Sequence, residues 1–171
     1  MAGSKSWGGL VYRALDRPAG EAGPLFRFTG AWAPSEPSAG WGAWDGERLV
    51  AAVLMERVGT AAMLHGPVGI APGDAGAADP AERAREPLEI AGQLLADVLD
   101  HSRASRIDTV FARPQGLDRL WVRFGFIPVP EVELPGDLRG RPGAGLFGWR
   151  GGTALWSTAS RGAPARASAG R

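Results

Sequence analysis

The sequence predicts an α+β domain, a mixed and mostly antiparallel sheet of six to seven strands flanked by helices. Three observations predict it. Strands joined by short turns fill residues 41–70 and form an antiparallel meander. An amphipathic helix follows, and the next strand comes directly after it, so this helix is a crossover rather than one side of a hairpin. A second, shorter helix then leads into two further strands. The chain can bury a core: of 171 residues 44% are hydrophobic, seven are tryptophan, and the net charge is only +1. Disordered chains combine few aromatics with high charge. The 26 glycines and 14 prolines crowd into residues 16–46, 66–80 and 135–152 and the C-terminal tail, where they punctuate the domain.

Taken in order, residues 1–8 are small and polar and are expected to fray, with a single domain over 9–157 and a disordered tail over 158–171. Leu10–Leu15 is short, apolar and partly alternating, a first strand. Residues 16–40 hold four prolines and are read as irregular, with at most a short helix. Trp41–Trp44 is a strand ending in Asp45-Gly46, a strong hairpin pair; both tryptophans are expected on one face of it, as core or as the lining of an apolar pocket. Leu49–Met55 is continuously apolar, so this strand is buried on both faces. Ala62–Ile70 is the next strand, interrupted by Gly66-Pro67, which marks a bulge or an edge.

Residues 73–86 read as a loop. Leu88–Ser102 is the best helix: Ala91, Leu94, Leu95 and Val98 follow helical spacing, with Glu89, Gln93, Asp97 and Asp100 on the other face. Ile107–Ala112 is a strand, Leu117–Phe124 a second helix closed by Gly125, and Phe126–Leu134 and Leu146–Trp156 are the last two strands.

Composition also excludes functions. With no cysteine there is no disulfide framework, thiolate nucleophile or sulfur-ligated zinc. The two histidines, His65 and His101, leave little for a metal site, and none is expected. No apolar run reaches the ~20 residues of a membrane span, and the N-terminus lacks a secretory h-region. A cytoplasmic protein that binds neither membrane nor nucleic acid is expected, since near-neutral charge gives no basic face. All basic residues but Lys5 are arginine, read as codon bias.

The block Leu117–Val129 (LDRLWVRFGFIPV) resembles the second conserved block of the GNAT superfamily of acyl-CoA N-acyltransferases, a short helix ending in Leu-Tyr-x-x-x-Gly-Phe and running into a strand. Ile70-Ala71-Pro72 resembles the Val-x-Pro that closes that family's fourth strand, and Leu94-Leu95 the paired leucines of its long helix. The resemblance covers roughly residues 10–156. It implies transfer of an acetyl or other acyl group from acyl-CoA to a small-molecule or peptide amine, without a metal. A homodimeric state stays open.

The resemblance also implies a site. The pantetheine arm would lie along Val68, Gly69 and Ile70, and the start of the long helix, at Leu88, Ile90, Ala91 and Gly92, would face the pyrophosphate. In that family a loop Arg/Gln-x-x-Gly-x-Gly/Ala offers bare amides at a helix N-terminus to the phosphates. Here the aligned segment is Glu86-Pro87-Leu88-Glu89-Ile90-Ala91. Glutamate stands at the arginine position and, as Glu89, at a glycine position, Ala91 is a permitted variant, and Pro87 has no N–H to offer. Two unit charges ~6 Å apart repel by roughly 3 kcal/mol at an effective dielectric near 20, so Glu86 and Glu89 oppose a phosphate. As a plain helix start, the same residues put Pro near N1 and Glu at N3. Arg83 and Arg85 are the candidate replacement cations. Trp121 occupies the position of the family's proton-donating tyrosine and carries no such proton; it also reads as a core aromatic. Pro114 stands where an asparagine sometimes does.

For the base that takes the amine's proton, the candidates are His65, beside the Gly66-Pro67 break, and Glu56, at a strand end. A strand histidine also serves as a hydrogen-bonded structural residue, and Glu56 as a solvated charge. His101 suits the negative end of the long helix. The second function class is a non-catalytic module of the same fold, with its cleft reused for another ligand or a protein partner.

Overall fold

A computed structural model describes residues 3–69 and 80–151, with the backbone alone for 80–86. Eight strands form one sheet in the order β1-β2-β3-β4-β5-β6-β8-β7. These are β1 Lys5–Trp7, β2 Leu10–Ala14, β3 Ala39–Asp45, β4 Arg48–Val58, β5 Ala61–Gly69, β6 Thr109–Ala112, β7 Ile127–Pro128 and β8 Phe147–Arg150. Every pairing is antiparallel except β5 with β6. The helix α2, Pro80–Ala104, makes the crossover between those two. The expected fold class is therefore present, with one strand more than the six to seven expected.

The additional strand is β1, inside the stretch expected to fray. It pairs with β2, and Lys5 Nζ reaches Asp97 Oδ1 of α2 at 2.6 Å. Residues 16–40 hold a longer helix than expected, α1, Pro18–Thr29. Pro18 sits in its first turn, where a missing N–H costs nothing, and Ala22, Leu25 and Phe26 are buried beneath it. The Gly/Pro density masked this apolar stripe. The Asp45-Gly46 hairpin and the β3-β4-β5 meander form as expected. The expected strand 126–134 shrinks to β7, because Pro128 and Pro130 remove ladder donors. One-turn 3-10 helices follow at Glu131–Glu133 and Gly136–Leu138. Of the last expected strand, residues 147–150 are β8, and 152–156 lie outside the described residues, as does the tail.

The sheet buries both faces. One face carries Tyr12, Trp41, Val53, Met55, Leu64, Val110 and Ala112. It packs on the stripe Ile90, Leu94, Leu95, Val98 and Leu99 of α2 and on Trp121 of α3, Asp118–Arg123. The other face is covered in two parts. Under α1, Leu15, Leu25 and Phe26 meet Ala52, Leu54 and Val68. Under the 129–146 segment, Leu134, Leu138 and Leu146 meet Met63 and Phe111. Trp41 and Trp44 do not share a face. They are three positions apart on a strand, and alternation sends Trp41 to the α2 side and Trp44 toward α1.

The largest departure is at α2. It begins at Pro80, not Leu88, so the expected 73–86 loop is helical from residue 80 onward. Pro87 lies inside the helix rather than in its first turn.

Candidate active site

Two candidate residues on adjacent strands, nine positions apart in the sequence, meet on the sheet. Leu54 of β4 pairs with His65 of β5, and Glu56 pairs with Met63. Glu56 and Leu54 point to the same face, so Glu56 and His65 are diagonal neighbours on the side covered by α1. His65 Nε2 lies 2.7 Å from Glu56 Oε2. Between His65 and Val68 the pairing slips, β5 carrying one residue more than β4, at the cis Gly66-Pro67 bond. Gly66 is required there: at φ 89 a Cβ would come within 2.9 Å of Val68 N and 3.0 Å of the Ala52 carbonyl oxygen.

Two residues that sequence reasoning missed complete the cluster. Arg141 grips Glu56 with two bonds, Nε to Oε2 at 3.0 Å and Nη2 to Oε1 at 2.9 Å. It donates further to the carbonyls of Arg139 and Asp137. Trp32, just beyond the left-handed cap Gly30 of α1, lays its ring edge-on to His65 with centroids 5.0 Å apart. Arg141 also lies 6.0 Å from the Trp32 ring. The three leucines of the 129–146 segment anchor the loop that delivers Arg141. No sequence signal marks it, since it sits in a Gly/Pro-rich stretch 85 positions from Glu56.

The electrostatics follow from these contacts. The Arg141 hydrogen bonds hold the Glu56 carboxyl below its ordinary range, against the opposing effect of burial. Burial pushes the His65 imidazole below its ordinary value, and the Glu56 bond only partly offsets this. Near neutral pH the pair is thus an ionised carboxylate and a neutral imidazole. The carboxylate takes the Nε2 hydrogen, which leaves the lone pair on Nδ1.

Next to this cluster the sheet opens. The parallel pairing of β5 and β6 ends at Leu64 and Ala112, and among the described residues no strand lies beside β5 on that edge from His65 to Gly69. An apolar groove of ≈130 Å³ follows this free end, lined by Ala51, Val68, Gly69, Leu88, Ala91 and Leu117 among others. A neighbouring cavity of ≈420 Å³ shares Leu88 and Leu117 and adds Arg119 and Arg123 of α3.

The structure thus brings Val68, Gly69, Leu88, Ile90 and Ala91 to one groove. Gly92 is not among its lining; it faces Phe124 and Leu120. Ile70 lies outside the described residues. Arg83 and Arg85 fall in the first turns of α2, where the backbone alone is described. The expected helix start at Leu88–Gly92 is corrected: these residues are in the helix interior, and their amides bond to carbonyls one turn back. They are not the orphan donors that a phosphate needs. Trp121 is fully buried, donates from Nε1 to the Pro114 carbonyl at 3.0 Å and packs edge-on to Phe126. It is a core residue. His101 lies in the last turn of α2, as expected, and packs against Trp41, where burial lowers its basicity. Among the described residues no group of three or more histidines and carboxylates is placed to hold a metal, and no helix is long and apolar enough to cross a membrane.

No protein-family profile matches the sequence, and no curated protein matches it. Solved structures do match. N-acetylglutamate synthase from Neisseria gonorrhoeae, complexed with coenzyme A and N-acetyl-glutamate, superposes with TM-score 0.54 at 18% identity, covering 85% of this chain. A probable acetyltransferase from Staphylococcus epidermidis gives TM-score 0.56 at 9% identity, over 84% of this chain and 99% of its own. The ribosomal-protein-S18-alanine N-acetyltransferase from Escherichia coli gives 0.54 at 15% identity, over 85% and 96%. The fold is that of the GNAT acetyltransferases. The chain spans 36% of the Neisseria enzyme's length, so the likeness is to one part of that protein. Val68 and Gly69, two of the residues that the resemblance of the sequence assigned to the pantetheine arm, lie on β5 beyond its parting from β6.

Proposed function

We propose that this protein is an N-acyltransferase that moves an acetyl or other acyl group from acyl-CoA to an amine, with His65 as general base. The observation that carries the reading is the Arg141–Glu56–His65 chain, set where β5 parts from β6. Arg141 keeps Glu56 ionised, Glu56 fixes the imidazole with its hydrogen on Nε2, and Nδ1 is left to accept a proton. The amine nitrogen bonds to the thioester carbonyl carbon and the C–S bond breaks. His65 takes one proton from the amine and can return it to the thiolate, so an amide and a free thiol result. Trp121, at the position of the family's tyrosine, takes no part, because it is buried and its indole has no such proton to give. Orientation of the two substrates in one cleft supplies much of the rate.

The free edge of β5 can pair with the amides of a pantetheine arm as an added strand would. Leu88–Gly92 offer the phosphates no helix-terminal amides, so arginines take that part: Arg119 and Arg123 in the adjoining cavity, with Arg83 and Arg85 upstream. A second reading is favoured by one observation, the interior position of Leu88–Gly92 behind Pro87. It takes the protein as a GNAT-fold module that binds a different ligand in the apolar groove and performs no coenzyme A chemistry. Titration calorimetry with acetyl-CoA and desulfo-CoA separates the two. The transferase reading expects micromolar binding that weakens about tenfold in Arg119→Glu or Arg123→Glu, each a lost charge-assisted contact. Absence of binding at millimolar ligand selects the module.

A further inference from the structure

We infer that the acceptor at this site carries a carboxylate beside its amine, as an amino acid does, and that Arg113 binds that carboxylate in place of Glu131. This rests on the transferase reading. Arg113 follows β6 directly. The parallel register that ends at Leu64 and Ala112 makes His65 and Arg113 the next residues in line, both on the face covered by α1 and the 129–146 segment. Its charge is one of those that disfavour protonation of His65, as expected of a near neighbour.

Arg113 and its carboxylate partner are unequal. The arginine is 6% exposed and Glu131 is 60% exposed. Both terminal nitrogens of Arg113 face the Glu131 carboxylate, and they also reach the carbonyls of Gly145 and Arg141. The buried Nε–H has no acceptor among the described residues. A buried guanidinium cannot go without an anion, whereas a glutamate on a one-turn 3-10 helix returns to water at little cost. The cation is built in and its anion is exchangeable.

The chain is also fitted to this side chain. Gly143 has φ 121, and a Cβ there would stand 3.0 Å from Arg113 Cγ, so the loop lies directly against the arginine stem. The charges agree. Glu56 is already taken by Arg141, so when Glu131 swings out, Arg113 is the cation left without a carboxylate next to the base. A bidentate carboxylate satisfies it and holds the attached amine near His65.

The test measures acetyl-CoA-dependent thiol release from the full chain with a panel of L-amino acids, each against its carboxamide. In parallel, N-acetylglycine and N-acetylglycinamide are titrated without coenzyme A and followed by amide chemical shifts. The acids should exceed the amides in kcat/KM by about tenfold or more, the effect of losing one charge partner at a buried pair. Glu131→Gln should lower KM for the acids several-fold and leave the amides unchanged, because the competing carboxylate is gone. Arg113→Met should abolish the preference through KM rather than kcat. Should Arg113→Met fail to fold, the Glu131→Gln result decides. Equal use of acids and amides, or no KM change in Glu131→Gln, overturns the inference while leaving the transferase reading intact. If no amine is acetylated, the transferase reading fails. The titration then decides alone: N-acetylglycine binding that tightens in Glu131→Gln supports the anion site, and no binding overturns it.

Discussion

The two sides of the cleft are built unlike each other. On the α1 side, His65, Glu56, Arg141 and Trp32 are joined by hydrogen bonds and ring contacts from four separate elements. Each group's charge state follows from its neighbour. On the α2 side the groove is lined by apolar side chains, and the helix that should end there with free amides continues through it. Proton transfer needs a fixed geometry at one atom, and a buried network supplies it. Anion binding needs only donors, which arginines on a neighbouring helix can provide as well as a helix end can. The first function constrains the fold closely and the second does so loosely, which is how a chain can keep one and rebuild the other.

Substitutions can break this contrast. The largest effect is expected from His65→Gln, which should lower kcat by about 10²–10⁴, the range for losing a general base, with little change in acyl-CoA affinity. Arg141→Met comes next. It leaves the half-buried Glu56 carboxylate without its cation, which should cost about 1–3 kcal/mol of stability by the usual penalty for an orphaned group, read by denaturant unfolding. It should also raise the acid limb of the kcat/KM profile, since the arginine's charge is one of the influences that keep His65 neutral. In the wild type that limb should lie below 6.5, the ordinary imidazole value.

The smallest effect concerns stability against pH. The folded value of His65 is depressed, so its contribution is fully present above pH 6.5 and is lost as pH falls through the folded value. Glu56 acts with the same sign below 4.5. Thermal unfolding should therefore show two losses on acidification, and His65→Gln should shrink the upper one, leaving the part that belongs to His101.

The sequence carried the meander and the long helix's buried stripe because both are periodic, and periodicity survives in a single chain. It carried His65 and Glu56 as separate candidates, since each sits on a recognisable strand. Their meeting depended on the register that the tight turn at Gly59-Thr60 sets between β4 and β5, which a linear reading does not follow across the pair. Arg113 and Arg141 were illegible for another reason: each owes its role to a loop anchored by Leu134, Leu138 and Leu146, and among glycines and prolines those leucines look like spacers. The start of α2 was misplaced because Pro87 with Glu89 makes a good helix N-terminus on local grounds, and the structure places that signal in mid-helix.

That proline interrupts α2. Without an N–H it omits one bond of the helical ladder, and the stripe that packs on the sheet, Ile90 to Leu99, follows it. The core anchors that length, and its amides should exchange slowly from Ile90 onward. A helix begun at Pro87 would hold the same stripe, with the proline in its first turn and the amides behind it left without intrahelical partners.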